Sequence, residues 1–271
     1  MRIDFVKMTG AGNDFVLIDN RERTLSLTRD QVARLCDRRF GIGADGLMLL
    51  EPALTEGSDW SWSFYNSDGS DAEMCGNGAR CFARFVADLT GANGEVSWDT
   101  IAGRIRAKPV EGDQRVNLTE PEGLELGISL TTSGGNRDLG FVNTGVPHAV
   151  VFVDDADDSM VREEGREIRF HERFQPSGTN VNFVQILSPG NLRVRTYERG
   201  VEGETLACGT GVSAAALVAA AREGWASPVR VTVQGGDTLT VEFDRQGNGF
   251  ANIFLTGPAT TVFRGSIELD G

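Results

Sequence analysis

The chain has 271 residues, 40% hydrophobic and 24% charged, enough for one large or two ordinary globular domains with real cores. Its 39 acidic against 26 basic residues leave a net charge of −13, which repels nucleic acid and anionic membrane, so neither is expected as a partner. The start, MRIDFVKMTG, has no apolar signal core, and the longest apolar run, Val212–Ala221, contains Ser213 and is too short to span a bilayer; the expected location is the cytoplasm, with reduced thiols.

In chain order, Phe15–Ile18 reads as a strand, rich in apolar and β-branched residues. Gly76–Leu89 reads as a helix in which Phe82, Phe85, Val86 and Leu89 fall at i, i+3, i+4 and i+7, one buried stripe. Ala149–Val153 is a second strand. Gly209–Arg222 is a helix of mostly Ala, Val and Leu, expected to be buried all round. Val229–Val233 and Leu239–Phe243 are further strands, and TVFRGSIEL, from Thr261, is a last one.

The chain repeats itself. MTGAGNDFVLIDN from Met8 matches NTGVPHAVVFVDD from Asn143 at an offset of 135. CGNGARCFARFVADLTG from Cys75 matches CGTGVSAAALVAAAREG from Cys208 at an offset of 133, with six of seventeen positions identical. Arg39-Phe40 and Arg173-Phe174, and Leu118-Thr119 and Leu255-Thr256, recur in the same order. Collinear pairs at nearly constant spacing imply internal duplication into two domains, 1–122 and 123–260, with a terminal strand at 261–271.

Each duplicated cysteine sits just before Gly-x-Gly and opens a helix. The first amides of a helix lack internal partners and carry partial positive charge, which pushes a thiol toward thiolate and can also hold a carboxylate. The glycines are expected to let a ligand approach the backbone closely. Cys36 and Cys81 do not recur and read as small buried hydrophobes. Two equivalent thiols, one on each side of a stereocentre, invert it: one thiolate removes a proton and the opposite thiol returns one. The two histidines and scattered cysteines lack zinc-ligand spacing, so no metal site is expected. The acidic run Asp154, Asp155, Asp157, Asp158 lacks the glycine and terminal glutamate of a calcium loop, and Gly41-Ile42-Gly43 is not followed by a phosphate-loop lysine.

The stretches TGAGNDFVLID, DRRFGIGADGL, FYNSDGSDAEMCGNGARC, GTNVNFVQ and YERGVEGETLACGTG, in this order, resemble the diaminopimelate epimerase family, cofactor-independent amino-acid epimerases. The resemblance covers essentially the whole chain. It implies an α/β (α+β) fold of two pseudo-twofold-related domains, each a barrel-like, mostly antiparallel sheet around a central helix. The small-molecule substrate lies between them and the C-terminal strand returns to the first domain. The implied reaction interconverts LL- and meso-diaminopimelate, for lysine and cell-wall synthesis, with neither metal nor pyridoxal phosphate. Lys7 and Lys108 are the only lysines that could form a Schiff base with such a cofactor. A homodimer is the assembly expected.

By the same resemblance Cys75 and Cys208 are the acid/base pair, with His148 and Glu198 beside them among the catalytic candidates. Gly76, Asn77, Gly209 and Thr210 present helix-start amides to the reacting carboxylate. Asn13 binds near the reacting end. Asn66, Asn180, Glu198 and Arg199 bind the distal amino-acid group, which needs a cation for its carboxylate and acceptors for its ammonium. Two positions depart from the family pattern: Val146 stands where Asn is common, and Gly46 where Gln is common, each removing one polar contact. A proline or hydroxyproline racemase, or a phenazine-type isomerase, shares the duplicated scaffold, and a non-catalytic amino-acid binding protein would keep only the cleft. The Glu198-Arg199 pair speaks against the first group and the retained cysteines against the last.

Overall fold

The structure is a computed structural model and describes residues 1–269. The fold is mixed α/β and dominated by sheet. The chain divides into two compact units, Met1–Val116 with the residues from Gly257 onward, and Asn117–Thr256. The sequence limits 1–122 and 123–260 fall late because Glu122 already opens a strand that pairs within the second unit.

The first unit contains β1 (Arg2–Gly10), β2 (Asn13–Asp19), α1 (Arg29–Cys36), β3 (Gly46–Pro52), β4 (Trp60–Asn66), α2 (Gly76–Thr90), β5 (Val96–Thr100), β6 (Gly103–Val110) and β7 (Asp113–Asn117). The second contains β8 (Glu122–Thr132), β9 (Gly135–Asn143), β10 (Pro147–Phe152), α3 (Val161–Phe170), β11 (Asn180–Ser188), β12 (Asn191–Glu198), β13 (Gly203–Thr205), α4 (Gly209–Glu223), β14 (Val229–Thr232), β15 (Thr238–Gln246) and β16 (Gly249–Gly257). The last strand, β17 (Thr260–Glu268), pairs antiparallel with β1 in the first unit. Residues 270 and 271 of the expected strand 261–271 lie outside the described residues.

The pairings run in the same order in both units. In the first, β17–β1 and β1–β2 are antiparallel, β2–β3 parallel, β3–β4 antiparallel, β4–β5 parallel, and β5–β6 and β6–β7 antiparallel. In the second, β8–β9 and β9–β10 are antiparallel, β10–β11 parallel, β11–β12 antiparallel, β12–β14 parallel, and β14–β15 and β15–β16 antiparallel. The parallel steps are crossovers that carry helices, as parallel neighbours require: α1 and α3 occupy the first crossover of each unit, α2 and α4 the second.

Each sheet therefore packs a helix on either face. Val32 and Leu35 of α1 bury against Phe5, Val16, Leu47 and Leu49; Val161 and Ile168 of α3 bury against Leu139, Val151, Phe183 and Tyr197. On the other face, α4 is enclosed by strands from β8 to β15, and Gly211–Ala220 are all buried. Each fully buried Val or Leu there contributes about 1.5–3 kcal/mol. α2 differs from its expected single stripe. Its first eight residues, Gly76–Ala83, are buried all round, Arg80 included, and Leu89 is only partly covered. No helix among the described residues is long and apolar enough to cross a membrane.

Candidate active site

The two duplicated cysteines are the N-caps of the two inner helices. Cys75 precedes α2 with extended backbone (φ −144°, ψ 120°), and its Sγ accepts from the Gly78 amide at 3.5 Å. Cys208 precedes α4 with φ −126°, ψ 110° and is 8% exposed. Both helices run fifteen residues and stop at a left-handed glycine, Gly91 and Gly224. The helical ladders begin with Ala79 N to Cys75 O and Val212 N to Cys208 O, both 2.8 Å, so the amides of Gly76, Asn77, Gly209 and Thr210 precede them at the positive end of the dipole.

The second motif glycine has a different use from the one expected. A Cβ on Gly78 would collide with Cε of Met48, and one on Gly211 with Oδ1 of Asn182. Gly78 and Gly211 therefore make room for the protein's own side chains, supplied by the third residue of β3 and of β11. Gly46 is also packed: a Cβ there would meet the Tyr65 carbonyl at 2.7 Å, so a glutamine at this position would need the β3–β4 pair to shift.

In the first unit, Asn77 Nδ2 donates to Asn13 Oδ1 at 2.6 Å, bringing two predicted residues together beside Cys75. Arg80, fully buried, donates to Asn77 Oδ1 (2.9 Å), to the Gly76 carbonyl (3.3 Å) and to the Pro258 carbonyl (3.3 Å). Asn13 Nδ2 donates to Asp45, which with Asp14 receives Arg38. Lys7, one of two lysines in the chain, is buried with its ammonium 2.8 Å from Asp14 and also donates to the Gly43 carbonyl. Burial raises the Asp14 carboxyl, but hydrogen bonds from Arg38 and Lys7 outweigh it and hold it at about 2. Asn66 ends β4 opposite Gly46, exposed, donating to Ser70 Oγ at 3.0 Å.

In the second unit, His148 Nε2 lies 3.0 Å from Thr210 Oγ1, and Thr210 Oγ1 lies 3.5 Å from Cys208 Sγ. Burial, with the Arg199 charge second, lowers His148 to about 3, so its ring is neutral at physiological pH. Asn182 and Thr196, absent from the sequence-derived set, stand behind it: Asn182 Nδ2 is 3.2 Å from His148 Nδ1, and its Oδ1 accepts from Thr196 at 3.0 Å. Alternation along a strand was the available signal, since Asn182 shares a face with Asn180, and Thr196 with Glu198. Asn180 donates to the Pro147 carbonyl (3.0 Å) and accepts from the Arg199 amide (2.8 Å), while the Arg199 guanidinium donates to the Ser177 carbonyl (3.0 Å). Glu198 ends β12 in register with Gly203. Cys36 ends α1 and Cys81 lies inside α2; both are buried, and burial pushes each thiol up to about 12.

Known proteins resemble the chain in sequence and in fold. A family model described as diaminopimelate epimerase matches residues 5–123 and 140–262. The diaminopimelate epimerase of Aquifex aeolicus is 44% identical over 278 aligned positions, covering 98% of each chain. Among solved structures, a phenazine biosynthesis protein of the PhzF family from Bacillus anthracis superposes with a TM-score of 0.76 at 13% identity, covering 99% of this chain and 100% of the other. A probable proline racemase from Agrobacterium radiobacter K84 gives 0.71 at 18%, covering 99% and 93%. These two share the fold. Fold and sequence together place the chain in the isomerase class, among the epimerases. It belongs to the diaminopimelate epimerase family.

Proposed function

We propose that this protein interconverts LL- and meso-2,6-diaminopimelate by proton exchange at one α-carbon, with Cys75 and Cys208 as the two proton carriers. The observation that carries the reading is the pair of N-cap cysteines on equivalent fifteen-residue helices. In one direction a thiolate takes the α-proton. The electron pair of that C–H bond spreads onto the α-carboxylate, and the other thiol delivers its proton to the opposite face. Each turnover exchanges which sulfur is protonated, so the reverse reaction starts from the product state. Donors from Gly76, Asn77, Gly209 and Thr210 would stabilise the charge that grows on the carboxylate, and two helix dipoles favour it there. Asn13, tied to Asn77, sits at the same helix start. Asn66, Asn180, Glu198 and Arg199 would read the distal amino-acid group. His148, neutral and buried, would set the protonation of a cysteine without changing its own protonation state.

The cytoplasm suits thiols that must stay reduced. A homodimer is the assembly we propose, supported by Val262 and Phe263, 55% and 46% exposed on β17.

Solvent deuterium incorporation into diaminopimelate tests the reading. Wild type should exchange the α-hydrogen and interconvert the isomers. Cys75→Ala and Cys208→Ala should each lose epimerisation by at least about 10³-fold while keeping the fold, in line with removal of an essential acid or base. Near wild-type interconversion by either variant would sink the two-thiol mechanism.

A further inference from the structure

The polar chain behind Cys208 has a direction fixed by a backbone carbonyl. Asn182 Nδ2 lies 3.1 Å from the Ala149 carbonyl, which can only accept, so this atom is the amide nitrogen. Its second hydrogen faces His148 Nδ1 at 3.2 Å, so Nδ1 is the bare nitrogen and Nε2 carries the proton. Nε2–H then donates to Thr210 Oγ1 at 3.0 Å. With that lone pair taken, the Thr210 hydroxyl hydrogen is left for Cys208 Sγ, 3.5 Å away. Thr196 fixes the far end by donating to Asn182 Oδ1, and Thr144 pins the Thr210 carbonyl at 3.0 Å.

We propose that Thr210 is a positioning residue for the Cys208 thiolate: its hydroxyl, locked as a donor by Asn182 and the Nε2–H tautomer of His148, stabilises the charged sulfur. The proposal rests on reading Cys208 as a proton carrier. It assigns His148 the role of orienting a donor. An imidazolium would set an N–H against the Asn182 N–H, and burial opposes that charge as well. Among the described residues, titratable or charged groups on the elements that adjoin α4 include His148 on β10, Glu198 and Arg199 at the end of β12, and Glu204 on β13, which is held by Arg195 at 2.6 Å. Deleting the Thr210 hydroxyl removes the hydrogen bond to Cys208 together with the acceptor of the His148 Nε2–H.

The test is the pH dependence of iodoacetamide alkylation, resolved by peptide mass spectrometry at Cys208 and Cys75 separately. Thr210→Val should slow Cys208 alkylation at pH 7 by roughly tenfold, since a hydrogen bond to a charged group is worth about that factor. It should leave the Cys75 profile in place, and Thr210→Ser should restore Cys208. An unmoved Cys208 profile in folded Thr210→Val, an equal shift at both cysteines, or no rescue by Ser would overturn the proposal. Nitrogen-15 NMR of the wild type decides independently of any variant: neutral His148 protonated on Nε2 is expected at pH 7, and protonation on Nδ1 refutes it. Neither measurement needs substrate, so failure of the epimerase reading would appear separately, as absent deuterium exchange in wild type.

Discussion

The two helix starts are built on one plan and finished with different chemistry. At an offset of 135, Asn13 on β2 corresponds to His148 on β10; at 133, Asn77 corresponds to Thr210. Each strand residue bonds its helix residue, at 2.6 Å in the first unit and 3.0 Å in the second. Behind them the units part. Met48 fills the space under Gly78, where Asn182 fills the space under Gly211. The first unit holds its helix start with charge, through Arg80 and the Lys7–Asp14–Arg38 group. The second uses neutral groups, Asn182, His148, Thr196 and Thr144. The geometry of a helix-start thiol survives this change in what supports it, because either a buried cation or an amide relay can hold the strand residue against its helix start.

The proposed distal contacts give the largest way to sharpen this contrast. β4 ends at Asn66 and β12 ends at Glu198, followed by Arg199, so equivalent strand ends carry a neutral group in one unit and a charged pair in the other. Arg199→Met should lower kcat/KM on diaminopimelate by roughly 30-fold or more, because a substrate carboxylate stripped of its cation costs about 2–5 kcal/mol in a dry site. Asn66→Ala should cost less. Wild type should also discriminate strongly against lysine, which lacks the distal carboxylate and leaves Arg199 without its partner. Equal wild-type efficiency on the two substrates would rule out distal reading by Arg199.

A second pair of substitutions compares the supports directly. Arg80 and Ser213 occupy the same repeat position, and each donates to the carbonyl of the residue after its cysteine, Gly76 at 3.3 Å and Gly209 at 3.2 Å. Arg80 also holds Asn77 and Pro258, so Arg80→Met leaves two buried acceptors and one partly buried acceptor short of a donor and should destabilise the first unit by roughly 2–4 kcal/mol. Ser213→Ala removes one bond to a helical carbonyl and should cost under about 1 kcal/mol. Urea unfolding followed by hydrogen exchange in α2 and α4 measures both. Similar losses for the two variants would mean that the buried guanidinium is no stronger a support than a hydroxyl.

Arg80 also marks where the sequence stopped being informative. Its position within α2 was clear from periodicity, but an arginine on a helix ordinarily reads as exposed. Its burial depends on Pro258, 178 residues away, approaching from the returning end of the chain. The inner helices and the cysteines were legible because duplication repeats them. The outer helices were harder. α1 has a local signature, the reciprocal Thr28–Gln31 capping box, which a search for capping patterns would have found. α3 has no side-chain cap at Met160 and a glycine in its middle. Gly165 is there because a Cβ would lie 2.6 Å from Cβ of Tyr197, a reason held by β12 and invisible in the local pattern. The hydroxyl of Thr210 was missed for a similar cause: its residue was assigned through the backbone amide, and the donor direction depends on Asn182 from another strand.

A last contrast separates the units by acid. His148 is lowered to about 3 by burial, below the ordinary value near 6.5, so the unfolded chain binds this proton more readily than the folded one. The second unit therefore has its full His148 contribution above about pH 6.5 and loses it as pH falls toward the folded value. At pH 5 the loss is roughly 2 kcal/mol, from about 1.4 kcal/mol per unit of pH. Asp14 in the first unit is held at about 2, so its contribution is intact above about pH 4 and is lost only as pH falls from there toward 2. Between pH 6.5 and 5, acid should thus weaken α4 before α2. Hydrogen exchange corrected for intrinsic rates should show protection falling in α4 peptides while α2 peptides hold. His148→Asn should flatten the α4 slope by one proton, because asparagine does not titrate. Parallel loss in both helices, or an unchanged α4 slope in His148→Asn, would show that the buried imidazole is not what distinguishes the two supports.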